Sequence, residues 1–213
     1  MRVYHLLPAK WGLASLSKRH LKISQLSDLN DPFELLGANL SNKNLRRPFG
    51  NWKQHLDTKY GLMCFSEGWQ SPLLWSHYGD RHRGIALGFD IPDNKAIPVR
   101  YVDERIAVAG SALDEAMVTR FLSTKFDGWS YEKEIRVFAN LTKPDLADGK
   151  FYADFSDDLQ LRAVVVGALS NVTKNCLMKL FKESALDSSK VAFAKARLAF
   201  KSYSVVPDKR GLR

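Results

Sequence analysis

The sequence predicts a single α+β domain: a mixed, mostly antiparallel β-sheet with a few flanking helices. Three observations predict it. Short apolar runs with period-two alternation recur from residue 2 to residue 206, separated by breaks rich in Gly, Pro, Asn and Asp. Only two or three windows carry sustained helical spacing. No linker, repeat or low-complexity stretch divides the 213 residues, a length that suits one domain. The domain is placed over 1–213, with its core over about 2–206, a mobile basic loop at 39–50 and a basic C-terminal tail at 207–213.

The elements follow in order. R-V-Y-H-L-L (2–7) alternates as a strand, and Pro8 ends it and opens a helix over 9–18. H-L-K-I-S (20–24) is a second strand. In N-D-P-F-E (30–34), Asp31 can cap a turn or helix that begins at Pro32, with Phe33 buried. Trp52, His55 and Leu56 give a short helix before Gly61. L-M-C-F-S (62–66) is a buried strand, and S-P-L-L-W-S-H-Y-G (71–79) a short helix capped by Ser71 and stopped by Gly79. G-I-A-L-G-F-D (84–90) and I-P-V-R-Y-V (97–102) are strands. Residues 111–125 form the clearest helix, with Ser111 as cap, Asp114 and Glu115 at its positive end, and Leu113, Met117 and Phe121 on one face. Strands follow at 131–138, 151–155 and 161–167, then a helix from Asn171 to about Ser184. The closing strands are 191–196 and 202–206.

Composition bounds the function. The net charge of +9 and pI near 9.5 draw the chain towards polyanions: nucleic acid, nucleotide phosphates or an acidic partner. Cys64 and Cys176 follow no metal-ligand spacing and are expected as buried thiols. The N-terminus lacks the apolar run of a signal peptide, and no stretch approaches 18 apolar residues, so the expectation is a cytoplasmic protein without a membrane span. G-x-G-x-x-G, P-loop, G-x-S-x-G and H-E-x-x-H motifs are all missing. Gly167-Ala168-Leu169-Ser170 reads as an ordinary strand-to-helix turn.

Two stretches carry chemistry. In W-S-Y-E-K-E-I-R-V-F (129–138), strand alternation puts Tyr131, Ile135 and Val137 on one face and Glu132, Glu134 and Arg136 on the other. Carboxylates two residues apart on a strand stand about 6.6 Å from each other. At an effective dielectric of 20 they repel by about 2.5 kcal/mol. In a dry cleft, one of them must have a raised pKa or a cationic neighbour. On a solvated face, Arg136 would simply neutralise both. The second stretch is W-S-H-Y-G-D-R-H-R-G (75–84). Trp75 and Tyr78 share a helical face, and Ser76, His77, Arg81, His82 and Arg83 supply donors nearby, a combination that suits a planar ring bearing phosphates; equally, Trp75 and Tyr78 could be core anchors and Arg83 a surface residue.

These residues resemble a known family. N-D-P-F-E (30–34), C-F-S (64–66), L-L-W-S-H-Y-G-D-R-H-R-G-I-A-L-G-F (73–89), W-S-Y-E-K-E-I-R (129–136) and V-V-V-G (164–167) are similar, in order and spacing, to the bacterial family known as domain of unknown function 2971. The resemblance covers about residues 3–206. More distantly, the opening V-Y-H strand, the middle serine strand and the late E-x-E strand resemble the ADP-ribosyltransferase fold. That resemblance implies a split sheet and NAD as substrate. It implies that His5, or Arg2 in its place, meets the NAD ribose. Ser66 or Tyr78 would meet the nicotinamide side, and Glu134 would hold the ribose hydroxyl as the catalytic carboxylate. Glu132 would orient the acceptor. Trp75 or Tyr78 would stack the nicotinamide, and Arg83 or Arg81 would hold the pyrophosphate, with His77 among the nearby donors.

The reading that follows is an NAD-dependent ADP-ribosyltransferase or NAD glycohydrolase, acting as a toxin or phage-defence effector. It would need no metal, would take a nucleic-acid or protein acceptor, and would be held by an antitoxin or other neutralising partner. Two alternatives stand beside it. One is a metal-dependent nuclease using Asp31, Glu34, Glu132 and Glu134. The other is a silent nucleotide- or nucleic-acid-binding module with Glu134 exposed or locked to Arg136.

Overall fold

The structure, a computed structural model, describes residues 1–33, 37–106 and 115–213. Ten strands join in one sheet: β1 (Arg2–Leu7), β2 (His20–Gln25), β3 (Tyr60–Ser66), β4 (Ile85–Asp90), β5 (Ile97–Pro98), β8 (Glu134–Asn140), β9 (Phe151–Asp154), β10 (Gln160–Val166), β11 (Ala192–Leu198) and β12 (Val205–Pro207). Their order is β12-β11-β10-β4-β1-β3-β2-β9, with β8 on the other edge of β3 and β5 beyond it. All these pairings are antiparallel except β10 with β11. A second, two-stranded parallel sheet joins β6 (Arg100–Val102) to β7 (Thr124–Phe126). The chain is thus a single α+β domain with a mixed, mostly antiparallel sheet and few helices.

Alternation along the strands sorts the core onto two faces. Val3, Ile85, Leu87, Phe89, Val164 and Val166 turn to one face with Leu16, Leu177 and Phe181. Leu16 comes from α1 (Ala9–Lys18), and Leu177 and Phe181 from α5 (Lys174–Glu183). Leu6, Ala86 and Val165 turn to the other face. There they pack on Trp75 of α3 (Pro72–His77). Farther along that face, α2 (Lys43–Lys59) and α4 (Glu115–Leu122) deliver Phe49, Leu56, Phe121 and Leu122.

The sheet has a gap at its centre. One edge of β3 pairs with β8 along its whole length, from Tyr60↔Asn140 to Ser66↔Glu134. The other edge is shared. β2 meets it at Gly61 and Leu62, β1 meets it only at Ser66, and residues 63–65 pair with neither. The His5 side chain of β1 reaches across that gap to the backbone of β3.

Several expected elements are corrected. The loop placed at 39–50 is largely helix: α2 starts at Lys43, with Asn42 capping through its side chain. The stripe Phe49, Trp52 and Leu56 buries one side of it despite Pro48 and the polar residues between. The single strand expected over 97–102 divides, because β5 pairs with β8 while β6 joins β7. The strand expected from 131 begins only at Glu134. Residues 127–132 form a 3-10 helix that ends at Lys133, whose φ is +44°. The tail 207–213 folds back, and the Lys174 amide donates to the Arg213 carbonyl at 2.8 Å. Phe33 is 56% exposed and Cys176 is exposed, both against expectation. Asp31 does cap a turn, accepting from the Phe33 amide at 2.9 Å. Glu34 and the expected helix start over 111–114 lie outside the described residues.

Candidate functional site

A cavity of about 230 Å³ opens over the gap in the sheet. Its walls include His5 from β1, Cys64 and Ser66 from β3, Asn30, Tyr78, Lys125 from β7, Glu132 and Glu134. Of the residues singled out in the sequence, His5, Ser66, Tyr78, Glu132 and Glu134 therefore meet at one place. They come from segments up to 129 positions apart.

His5 bridges the gap. Its Nδ1 lies 2.7 Å from the Cys64 carbonyl oxygen. A carbonyl can only accept, so Nδ1 carries the proton and Nε2 is left as an acceptor. Burial lowers the pKa of His5 from its ordinary value, and the Cys64 carbonyl opposes this only in part. The ring is neutral at pH 7. Arg2, the alternative for this role, points elsewhere and pairs with Asp90 at 2.5 Å on the surface.

The two glutamates differ. Glu134, the first residue of β8, is 4% exposed. Arg136, fully buried, grips it with two hydrogen bonds of 2.9 and 3.0 Å and donates a third, of 2.7 Å, to the Leu122 carbonyl. Lys125 Nζ adds 3.1 Å to Glu134 Oε2. Burial pushes Glu134 up, but Arg136, Lys125 and the Cys64 thiol together outweigh it and hold the carboxyl at about 2. Its amide donates to the Tyr101 hydroxyl of β6 at 2.8 Å, so the small second sheet supplies both Tyr101 and Lys125.

Glu132 precedes the left-handed turn at Lys133 and so leaves the strand. Its carbonyl accepts from Ser66 Oγ at 2.5 Å, which fixes the corner. Its carboxylate accepts from Lys125 Nζ at 2.7 Å and from the Tyr78 hydroxyl. Burial raises the Glu132 pKa, and Lys125 and Tyr78 only partly oppose it. Burial and the neighbouring Glu132 raise Tyr78 as well. Asn30 donates to the same hydroxyl at 3.1 Å. Two carboxylates on one wall thus have pKa values pushed apart, the arrangement that separates acid–base roles in enzymes.

Trp75, His77 and both arginines expected at the pyrophosphate, Arg81 and Arg83, are not brought to the cavity. Trp75 has no exposed surface and packs in the core, its indole Nε1 donating to the Trp69 carbonyl at 2.6 Å. His77 is exposed and touches the rings of Trp129 and Tyr131. Arg83 is exposed and lies outside the cavity wall, as does Arg81. Residues 80–82 all have positive φ, a tight turn that carries both arginines away while His82 folds onto Trp75. Lys125 and Tyr101 carry no motif and were missed in the sequence, and Asn30 opens the N-D-P-F-E motif but was given no role there. The one signal for Lys125 is an E-x-E pair in need of a cation.

Among the described residues, no group of three His, Cys, Asp or Glu side chains is placed to hold a metal ion. Lys125 Nζ sits where the nuclease alternative puts its divalent cation, between the two carboxylates. No helix among the described residues is long and apolar enough to cross a membrane. Comparison with protein-family models, curated proteins and solved structures returns no match, so the functional reading rests on the site's own geometry.

Proposed function

We propose that the cavity binds NAD by its nicotinamide–ribose end and that the chain is an NAD-consuming enzyme of the ADP-ribosyltransferase or NAD glycohydrolase type. One observation carries the reading: His5, Ser66, Tyr78 and Glu132 converge over a gap between β1 and β3. The volume suits it in part. At about 230 Å³ the cavity falls below the ~300–1,000 Å³ usual for whole ligands, so it takes a ring and its sugar and leaves the rest of the dinucleotide at the mouth.

The chemistry follows from the groups. The bond between ribose and nicotinamide breaks, and its electron pair leaves with the ring, which becomes neutral. Positive charge is left on the sugar. On this reading Glu132 faces that charge: Lys125 and Tyr78 each give its carboxylate one hydrogen bond, whereas Glu134 is neutralised by the two-pronged Arg136 contact as well as by Lys125. His5 Nε2 accepts from a ribose hydroxyl, and the Tyr78 ring packs on the nicotinamide. Water or an acceptor then bonds to the sugar carbon and releases a proton, which Glu132 is placed to take. Arg83 has no part in this arrangement.

A second reading has an observation of its own. The lock of Glu134 on Arg136 is what a non-catalytic nucleotide-binding module requires. One experiment separates the two. The protein is incubated with NAD, alone and with DNA, RNA and protein acceptors, and nicotinamide release is measured beside calorimetric NAD binding. Release above the blank supports the enzyme. Binding without release supports the module, and neither binding nor release overturns both.

A further inference from the structure

The far end of the sheet carries a surface unrelated to the cavity. Residues 195–213 contain Lys195, Arg197, Lys201, Lys209, Arg210 and Arg213 against one acid, Asp208. That local excess of +5 is more than half of the chain's +9. Asp208 is matched by Arg210 at 2.8 Å, and Lys195 donates to the carbonyls of Gly167 and Ser170. The charge left along the groove of the β11–β12 hairpin is that of Arg197, Lys201 and Lys209.

The same tip holds two exposed rings. Phe200 is 93% exposed and Tyr203 fully exposed. They project from a closed turn, since the Ala199 amide donates to the Ser204 carbonyl at 2.9 Å and the hydroxyls of Ser202 and Ser204 meet at 2.7 Å. The Arg197 guanidinium lies 4.9 Å from the Phe200 ring centre. A shallow groove runs beneath, lined by Arg197, Phe200, Lys201, Val206, Pro207 and Lys209. β12 is a three-residue edge strand ending in proline, which already protects the sheet edge, so edge protection leaves these rings unexplained.

We infer that this hairpin binds single-stranded nucleic acid, with unpaired bases stacked on Phe200 and Tyr203 and phosphates drawn to Arg197, Lys201 and Lys209. Exposed rings beside a cationic groove are the combination that single strands require, because every base offers a flat face and every linkage a negative charge. A membrane-inserting tip would be apolar at its apex, and here Lys201 and Ser202 stand between the rings. The inference is independent of the NAD reading, since binding needs no NAD.

The test is fluorescence anisotropy with labelled oligothymidine, the same length of duplex DNA, and vesicles of phosphatidylserine and phosphatidylcholine. Single strands should bind more tightly than duplex. Phe200→Ala and Tyr203→Ala should each weaken single-strand binding roughly 5- to 100-fold. Replacing Arg197, Lys201 and Lys209 together by Gln should flatten the plot of log K against log salt by about 2. Circular dichroism checks that each variant folds, as exposed tip residues should allow. Unchanged binding by both alanine variants overturns the inference. So does duplex bound as tightly as single strand, or binding to vesicles alone.

Discussion

Glu132 and Glu134 stand on one cavity wall, and replacing each by Gln should produce opposite phenotypes. Glu134 is bound by the Arg136 fork and by Lys125. Its pKa falls from 4.5 to about 2, which corresponds to about 3 kcal/mol of stability at neutral pH. For a depressed carboxylate this stability is full above 4.5 and is lost as pH falls towards 2. A Gln there keeps one oxygen for the Arg136 and Lys125 donors and removes the negative charge that the buried guanidinium grips. Glu134→Gln should therefore lower unfolding free energy by about 3 kcal/mol, in line with the ~3–5 kcal/mol for breaking a buried pair. Glu132 has the reverse sign. Its raised pKa means that ionisation opposes folding at neutral pH, so Glu132→Gln should be nearly neutral for stability. If its charge supplies about 3–4 kcal/mol to the transition state, NAD turnover should fall roughly 10²- to 10³-fold. The assay is nicotinamide release beside urea unfolding followed by circular dichroism. A stable Glu134→Gln protein without turnover, beside an active Glu132→Gln protein, would refute the assignment and return the catalytic charge to Glu134.

Three further outcomes are expected. Tyr78→Phe removes a hydrogen bond that holds the Glu132 pKa down, so the acid limb of the pH–rate profile should move to higher pH; an unmoved limb separates Tyr78 from the chemistry. Burial keeps His5 neutral in the folded state, so its contribution to stability is full above 6.5 and declines as pH falls below it; His5→Asn should show a shallower loss in acid, and an identical loss would place the effect on other groups. Lys133 holds a φ of +44°, so Lys133→Gly should be neutral or stabilising by up to about 1 kcal/mol, and Lys133→Val should cost about 1 kcal/mol or more, both read from urea midpoints.

Much of the sheet was legible because its strands read as alternating or continuously apolar runs: the stretches around 2–7, 20–24, 62–66, 84–90, 151–155 and 161–167 all become strands. What failed did so for identifiable reasons. The first half of α2 buries only Phe49, and Pro48 with its polar neighbours hid it. The stretch 75–84 concentrates aromatic and cationic residues, but density along the chain says nothing about direction. The structure sends Trp75 to the core, Tyr78 to the cavity and Arg83 to the surface. The αL residue at 133 breaks the alternation that had put Glu132 and Glu134 on one strand face. They still meet, but through a lysine.

That lysine shows where sequence reasoning stopped short. Two nearby carboxylates in a dry place demand cationic compensation, and the demand was readable in W-S-Y-E-K-E-I-R. The nearest cation on the same expected strand face, Arg136, was the natural supplier, since Lys133 between the two acids falls on the other face. A guanidinium has one fork, however, and Arg136 spends it on Glu134 while its remaining terminal nitrogen donates to Leu122. A second cation had to come from a distant segment. Lys125 falls at the end of the helix expected over 111–125, where a positive charge suits the dipole, so nothing in its own segment marks it for a buried role. The structure instead ends α4 at Leu122 and starts β7 at Thr124, which turns Lys125 inward between the carboxylates. A local rule that fits a residue well can thus conceal a long-range one. The imbalance left at the E-x-E pair, one fork for two acids, was the better guide.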